Sequence, residues 1–272
     1  MYFFKNTHSL FYRLSRKLYM FARKESEYHQ SNNKDYWIID KILSISNNLN
    51  DIILFDIGSY KAEWTLNALI KMKSLKNTKK IFAFEPTLFL FEKLKKKLKN
   101  EEFVIIEQLA LSDKSEDTKF YVFDDNDGIN SLISNDSAKV QFISTITFDQ
   151  YIKNHNIKKI SLVKSDTEGF DFSVIKGAKK AFKNKIIDAW QFEYNHRWIG
   201  NRSFLKDVFV FFHESDYKIG KVSFNKIEIY NEWHMELERF FEANYIIIKS
   251  NILNQFPHNI VRFNKNNVLE NE

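Results

Sequence analysis

The 272-residue sequence contains no cysteine, only 2 prolines and only 6 glycines. The absence of cysteine excludes a disulfide framework, a thiolate zinc site and a cysteine nucleophile, and it favours a reducing, cytoplasmic location. Because turn-forming residues are so few, each remaining glycine and proline marks a position at which the backbone has a special requirement.

Positive charge is concentrated at one end of the chain. The formal net charge is +6, from 41 Lys and Arg against 35 Asp and Glu. Residues 1–24 hold six of the basic residues and no acid, so the rest of the chain has equal numbers of both signs. A protein that binds phosphate backbones usually spreads basic residues over its binding face. The charge distribution therefore predicts no nucleic-acid partner.

The same N-terminal residues interleave cations with aromatic and aliphatic side chains at broadly helical spacing. Cations interrupt the apolar residues throughout, which disfavours a signal peptide and predicts no transmembrane span. We interpret residues 1–36 as a basic amphipathic helical extension with a polar linker, and expect the helix to pack on the domain or on a second subunit of a homodimer. The alternative is contact of residues 1–24 with a membrane surface, which would make the protein peripheral at the inner membrane face.

From residue 51 onwards, short apolar runs alternate with amphipathic helical stretches, a pattern typical of βαβ units and a parallel sheet. The pattern predicts strands near 51–56, 80–85, 103–111, 141–148, 159–165 and 187–193, and helices near 60–73, 88–99, 171–183 and 203–214. Stretches near 217–230 and 244–249 predict an antiparallel edge. The domain is expected to span residues 37–263, and the Asn-rich residues 264–272 to form a mobile tail.

The first predicted strand ends in Asp56-Ile57-Gly58-Ser59, at the strand-to-helix turn where open α/β sheets bind ligands. A dinucleotide fingerprint needs three glycines, and this turn has only Gly58, which disfavours a nicotinamide or flavin cofactor. An acid followed by one glycine suits a ligand with a cationic amino-acid end. Gly58 would let the backbone approach that ligand, and Asp56 would orient or attract its ammonium group, directly or through water.

The second predicted strand ends in Phe84-Glu85-Pro86. A carboxylate at this position can accept hydrogen bonds from both hydroxyls of a ribose. Either turn alone is a weak signal, because an acid at a strand end is often solvated or caps a helix. Together, in this order and on these elements, the two turns indicate a site for S-adenosylmethionine.

Two further carboxylates follow the fourth main strand, in the segment Lys164-Ser165-Asp166-Thr167-Glu168-Gly169. Because side chains alternate along a strand, we expect Asp166 and Glu168 to point to the same side. There they could position a hydroxyl group or raise one another's proton affinity. The alternative is a structural role, in which one acid caps the next helix and the other lies in its first turn.

His196 follows the fifth main strand and is the histidine best placed to reach the same crevice. It is therefore a candidate general base beside the two carboxylates. A divalent metal ion is a further variant, and its oxygen and nitrogen ligands would be Asp166, Glu193, Asn195 and His196.

These motifs resemble the FkbM-type family of S-adenosylmethionine-dependent methyltransferases. The matching segments lie in the family's order over residues 50–215: DIGSYKAEWT (56–65), AFEP (83–86), ALSD (110–113), GINSL (128–132), TFDQYI (147–152), KSDTEGFDFSVIKGA (164–178) and QFEYN (191–195). The most specific elements are FEP and DxEG, with the KGA that follows.

The resemblance implies a Rossmann-like class I methyltransferase fold, with a mainly parallel central sheet, helices on both faces and an antiparallel edge, to which the N-terminal helix is added. It also implies methylation of hydroxyl oxygens of sugars, polyketides or other metabolites. Carried over by position, Asp56, Gly58 and Ser59 would border the methionine end of the cofactor, and Glu85 with Pro86 would border its ribose. Leu109 and Ala110 would lie near the adenine, and Asp166 would lie near the methyl group.

Three positions depart from the family pattern. Tyr60 and Ala62 stand where the family usually has asparagine and glycine, and Ala62 requires a turn that tolerates a Cβ atom. Phe170 replaces a residue that is commonly small, so we expect it to reshape the acceptor pocket.

We therefore expect an O-methyltransferase whose general base is Asp166, Glu168 or His196. The expected acceptor is a sugar, either free or nucleotide-activated for a surface polysaccharide, or another small metabolite. The loop at 124–138 and the C-terminal segment would help to cover it. Two other hypotheses stay open. A non-catalytic scaffold with this fold would fit Ala62, and an RNA-modifying methyltransferase would fit the basic N-terminus.

Overall fold

The computed structural model describes residues 2–22, 36–46, 51–122 and 139–272. Its helices are α1 (Tyr2–Ala22), α2 (Tyr36–Ile45), α3 (Glu63–Met72), α4 (Leu88–Lys97), α5 (Phe148–Asn154), α6 (Asp171–Gly177), α7 (Lys179–Lys183), α8 (Leu205–Phe211) and α9 (Ser250–Leu253). Its strands are β1 (Ile52–Ile57), β2 (Lys79–Phe84), β3 (Val104–Glu107), β4 (Ala110–Ser112), β5 (Asp117–Val122), β6 (Lys139–Thr147), β7 (Leu162–Ser165), β8 (Ala189–Tyr194), β9 (Tyr217–Val222), β10 (Ile227–Tyr230), β11 (Ala243–Lys249), β12 (His258–Phe263) and β13 (Leu269–Asn271). The predicted loop at 124–138, with its GINSL motif, lies outside the described residues.

Ten strands form one sheet in the order β13-β12-β10-β9-β11-β8-β7-β1-β2-β3. Neighbouring strands from β3 to β8 pair in parallel, whereas β11 runs antiparallel to both β8 and β9. This confirms the predicted parallel sheet with an antiparallel edge. Because β1 lies between β2 and β7, the chain changes direction across the sheet there, and such a switch point opens a crevice at the carboxyl ends of the strands.

The parallel strands are buried on both faces, which explains why they appear in the sequence as continuous apolar runs. Along β1, Leu54 contributes to the hydrophobic cluster that includes α2 and α3, and Phe55 contributes to the cluster that includes α5 and α6. The Phe55 ring stacks on Phe82 with centroids 4.9 Å apart and meets Phe148 at 5.0 Å. Helices therefore cover both faces, as predicted.

Three elements differ from the prediction. The single strand expected at 103–111 is two strands, and β4 belongs to a small sheet with the order β4-β6-β5. The helix expected at 171–183 breaks after Gly177, where a Cβ atom would lie 2.0 Å from the carbonyl oxygen of Ser112. Helix α2 was not predicted, although Ile38, Ile39 and Ile42 are buried on its inner side.

The C-terminal residues 264–272, expected to be mobile, also form ordered structure. Leu269–Asn271 pair antiparallel with Val261–Phe263. The turn between these strands is closed by the Asn264 side chain, whose oxygen accepts hydrogen bonds from the backbone N–H groups of Asn266 at 2.9 Å and Val268 at 3.1 Å. An asparagine in this role converts a polar tail into a hairpin.

Helix α1 forms where the sequence predicts it, and it meets the domain near its C-terminal end. The Tyr19 ring lies 6.2 Å from that of Phe241, and its hydroxyl donates to Glu236 at 3.4 Å. The Arg16 guanidinium lies 5.8 Å from the centre of the same Phe241 ring. In the part of the chain that the structure describes, no helix combines the length and the apolar character needed to span a membrane.

Candidate active site

A cleft opens at the carboxyl ends of the central strands, where open α/β sheets bind their ligands. Its apolar lining residues are Leu90, Leu109, Ala110, Leu111 and Phe120. Three acids, Glu85, Asp166 and Glu168, line the same cleft. The cleft therefore combines an apolar surface with carboxyl groups.

The turn after β1 packs directly against the chain that follows β7. Gly58 has a φ of +80°, and a Cβ atom on it would lie 2.0 Å from the carbonyl oxygen of Asp166. The N–H of Asp166 donates to the carbonyl of Ile57 at 2.9 Å, and the N–H of Gly58 donates to Phe84 at 3.1 Å. A glycine is required here because both the backbone angle and the close approach exclude a side chain.

Two residues of the same turn adopt left-handed backbone angles although they carry side chains. Tyr60 has a φ of 45° and Ala62 a φ of 60°. These are the positions at which the FkbM pattern has asparagine and glycine, residues that adopt this conformation readily. The turn thus keeps the shape that the motif implies, at a cost of about 1–2 kcal/mol per residue.

Asp56 is fully buried and does not line the cleft. One carboxylate oxygen accepts a hydrogen bond from the hydroxyl of Thr65, in α3, at 2.6 Å. Burial raises the pKa of Asp56, and the nearby Lys164 ammonium partly opposes that shift. Ser59 is buried as well, and its hydroxyl donates to the Asp56 carbonyl at 2.8 Å. The Asp56 side chain therefore faces α3, and its role toward the ammonium group of a ligand, directly or through water, stays a prediction.

Glu85 lies at the polar end of the cleft, next to Pro86. One carboxylate oxygen accepts from the Thr87 hydroxyl at 2.7 Å and from the Thr87 N–H at 3.0 Å. The other oxygen accepts from the Tyr60 N–H at 3.2 Å. Burial raises the pKa of Glu85 to about 7, even though these hydrogen bonds favour the ionised form. The carboxylate is therefore held in place by three donors.

Asp166 and Glu168 both line the cleft, but not for the reason predicted. Strand β7 ends at Ser165, and Glu168 has a left-handed φ of 55°, so strand alternation does not orient the pair. Asp166 accepts from the Lys164 ammonium at 3.1 Å, and Glu168 pairs with the Arg197 guanidinium at 2.8 Å.

Burial and the charge of Asp166 raise the pKa of Glu168 to about 8, against the opposing effect of Arg197. Helix α6 begins after Phe170 without a side-chain cap, and the acid in its first turn is Asp171. The Asp171 side chain accepts from the N–H of Thr167, ahead of the helix, at 3.4 Å. Asp166 and Glu168 line the cleft instead.

The structure does not bring together the four residues considered for a metal ion. Asn195 uses its amide oxygen to accept from the Arg197 N–H at 2.8 Å and its amide nitrogen to donate to Glu193 at 2.6 Å. His196 begins a 3-10 turn that directs its side chain to solvent, and it does not line the cleft. Among the described residues, no group of three or more His, Asp or Glu side chains is arranged to hold a metal.

Four charged residues at this site were not predicted. Lys164 lies mostly buried between Asp56 and Asp166, and their charges raise its pKa. The sequence feature that could have indicated its role is a lysine inside an otherwise apolar strand. Glu242 stands at the exposed rim, where partial burial raises its pKa and the charge of Arg197 opposes the shift. Asp171, Arg197 and Glu242 come from segments that only the tertiary fold brings together.

Acidic groups outnumber basic ones around the crevice. The acids are Asp56, Asp166, Glu168, Asp171, Glu193 and Glu242, and the described cations among them are Lys164 and Arg197. Burial and the charge of Asp166 raise the pKa of Glu193 well above its ordinary value. Because the pKa of Glu168 is raised to about 8, this carboxyl is largely protonated at pH 7 and adds little negative charge to the site.

A family model described as "Methyltransferase FkbM domain" matches residues 56–219, which is more than half of the chain. Among curated proteins, no sequence matches. Among solved structures, the FkbM methyltransferase from Methylobacillus flagellatus KT is 14% identical, with a TM-score of 0.46, and the alignment covers 76% of this chain and 47% of that one. The chain thus spans about half the length of this relative.

Two other similar structures are an rRNA methylase and the protein TrmK. An rRNA methylase from Streptococcus thermophilus is 9% identical with a TM-score of 0.42, and the alignment covers 81% of this chain and 99% of that one. TrmK from M. capricolum, in complex with S-adenosyl-homocysteine, is 12% identical with a TM-score of 0.39, over 78% of this chain and 67% of that one. At these identities the likeness concerns the fold alone, so the comparisons give no ground for excluding a nucleic-acid acceptor.

Proposed function

Because the chain belongs to the FkbM methyltransferase family, we propose that it is an S-adenosylmethionine-dependent O-methyltransferase acting on a hydroxyl group of a sugar. The observation that carries the proposal is the cleft, which combines apolar lining residues with Glu85 and Asp166, two acids that follow the strands on either side of β1. An adenosyl group with a cationic centre likewise combines an apolar ring with polar and charged parts.

The residues present fit this cofactor. Glu85 is held by its three donors with its carboxylate at the cleft, where it would accept from ribose hydroxyls. Leu109 and Ala110 would cover the adenine, and Gly58, which lines the same cleft, would lie beside the amino-acid end. When bound, the cofactor supplies a reactive methyl group on a sulfonium. The chain therefore has to align the acceptor and exclude water.

The carboxyl groups around Asp166 suit the hydroxyls of a sugar ring, free or attached to a nucleotide. Burial raises the pKa of Glu168 to about 8 and raises that of Glu193 well above its ordinary value. A carboxyl group donates a hydrogen bond when protonated and accepts one when ionised, so such a cluster can bind hydroxyls in both ways. Phe170, at the same end of the cleft, offers a ring face for the sugar.

An attacking hydroxyl has to lose its proton, and Glu168 is the residue that we propose accepts it. It lines the cleft, Arg197 fixes its position, and its pKa of about 8 makes it a stronger base than an ordinary carboxylate. A base with a pKa near the working pH is the most effective one, and proton transfer of this kind contributes about 10²–10⁴-fold. Asp166 would orient the hydroxyl beside it.

The direct test is a gain of one methyl group in a pool of sugars and nucleotide-sugars incubated with isotope-labelled cofactor and the full chain. With the acceptor so found, kcat/KM should rise with pH through about 8, because only the ionised Glu168 accepts a proton. Glu168→Gln should remove this rise and lower kcat by about 100-fold or more. Glu214→Gln, an exposed acid in the segment after α8, is the matched control and should keep the wild-type profile.

The other hypotheses have distinct outcomes. A scaffold would show no binding of S-adenosylhomocysteine by calorimetry. An RNA-modifying enzyme would label RNA and no sugar. If the enzyme methylates a sugar and Glu168→Gln leaves its pH profile unchanged, the proposed reaction is correct and Glu168 is not the general base.

A further inference from the structure

Helix α1 presents an apolar face that points away from the domain. Leu10, Phe11, Leu14, Leu18 and Phe21 recur at spacings of three and four residues, which places them on one side of a helix. All five side chains are exposed, Phe21 at 83% and Phe11 at 68%. A stripe of large apolar side chains in contact with water is unfavourable, and it usually marks an interaction surface.

The domain occupies a different side of the helix. Arg16 and Tyr19, the residues that contact Phe241, lie three positions apart and roughly opposite the apolar stripe. The helix expected to pack through its apolar side is therefore attached through its polar and aromatic side. Among the described residues, none covers the apolar side of the helix, which stays exposed as a surface for a binding partner.

The charge around the apolar stripe indicates what kind of partner binds it. Arg13 and Lys17 are exposed and lie on the helix flank next to the stripe. Residues 1–24 carry six cations and no acid. A second copy packing the same face against itself would bring these like charges together, whereas an anionic bilayer neutralises them while it buries the apolar side chains.

We propose that α1 lies in the surface of an anionic membrane, with Leu10, Phe11, Leu14, Leu18 and Phe21 among the acyl chains and Arg13 and Lys17 among the headgroups. The contact between α1 and Phe241 would then hold the domain at the membrane. This inference does not depend on the proposed methyl transfer, since it concerns the location of the protein and not the reaction.

The test is flotation of the full chain with vesicles of phosphatidylcholine alone and with vesicles in which part of it is replaced by phosphatidylglycerol. We expect binding to the anionic vesicles that weakens with added salt, because surface charges are screened. The double change Arg13→Gln with Lys17→Gln should lower the partition coefficient by about tenfold or more, since each cation near an anionic bilayer contributes a factor of about five. Matched neutralisation of Lys95 and Lys96, exposed on α4, should leave it unchanged.

The double change Phe11→Ser with Leu18→Ser should lower the partition coefficient by about 100-fold, because each side chain loses at least about a tenfold gain from burial. Its control is Ile70→Ser with Val210→Ser, which alters two exposed apolar residues of α3 and α8. Circular dichroism and thermal unfolding of each variant separate lost binding from lost folding.

Two results would overturn the proposal. One is equal binding by the α1 variants and the wild type, or no binding to either kind of vesicle. The other is a concentration-dependent dimer in sedimentation equilibrium that Phe11→Ser with Leu18→Ser dissolves, which would identify the face as a self-association surface.

Discussion

We predict that Gly58→Ala weakens cofactor binding by about tenfold or more, whereas Gly177→Ala, which meets an equally close contact elsewhere, changes it much less. A Cβ atom at Gly58 would lie 2.0 Å from the carbonyl oxygen of Asp166, and one at Gly177 would lie 2.0 Å from that of Ser112. In both variants two backbone segments have to separate by about 1 Å, because a packed interior has no spare room. Gly58 and Asp166 both line the cleft, whereas Gly177 and Ser112 do not.

The two substitutions should cost comparable stability. Overpacking of a buried contact costs about 1–3 kcal/mol, and this applies to both glycines. Gly58 has a φ of +80°, which adds about 1–2 kcal/mol once a side chain is present. The free energy of unfolding should therefore fall by about 1–3 kcal/mol in Gly177→Ala and by about 2–5 kcal/mol in Gly58→Ala.

Denaturant unfolding would measure these losses, and calorimetric titration with S-adenosylhomocysteine would measure binding under conditions where both variants are folded. Gly58→Ala should weaken binding by about tenfold or more, since a loss of 1.4 kcal/mol of contact already gives that factor. Wild-type affinity in Gly58→Ala would refute the location of the cofactor site. An equal loss in both variants would mean that general loosening, and not the turn, controls binding.

Two further predictions concern the cofactor end of the cleft. Affinity for S-adenosylhomocysteine should fall as the pH drops through about 7, because ribose hydroxyls require the ionised form of Glu85, and titrations of Glu85→Gln should be weak and independent of pH. The same raised pKa means that protonation of Glu85 favours the folded state, so the free energy of unfolding should be greatest below about 4.5 and fall by about 3 kcal/mol as the pH rises from there to about 7. Ala62→Gly should stabilise the protein by about 0.5–1 kcal/mol, since relief of the left-handed strain exceeds the entropy cost of glycine. Thermal unfolding checks this, and a lower melting temperature would show that the turn is not strained.

Local pattern was enough to predict the elements that build the cleft. The apolar runs that become β1, β2, β7 and β8 are long and clearly bounded, because strands buried on both faces need apolar side chains at nearly every position. Helix α2 was missed because it follows a polar stretch. Its apolar residues indicate a helix only once the sheet face on which they pack is known. The hairpin at Asn264 depends on side-chain hydrogen bonds that composition does not reveal.

The candidate site was predictable in its positions and less so in its chemistry. Glu85 and Asp166 reach the cleft because strand ends meet at one edge of the sheet, which follows from order along the chain. The burial of Asp56 and the exposure of His196 depend on which way each chain turns after its strand. The ion pair between Glu168 and Arg197 joins two separate loops, so it had no signal in the sequence.

The residue that contacts α1 and a charged residue at the rim of the cleft are neighbours in the chain. Phe241, which receives the helix, is followed directly by Glu242, whose charge is felt by Arg197 and Asp166. Removal of α1 would uncover Phe241, the direct neighbour of Glu242, and we expect this to change the surroundings of that carboxyl group. The intact chain is therefore the form in which acceptors should be ranked.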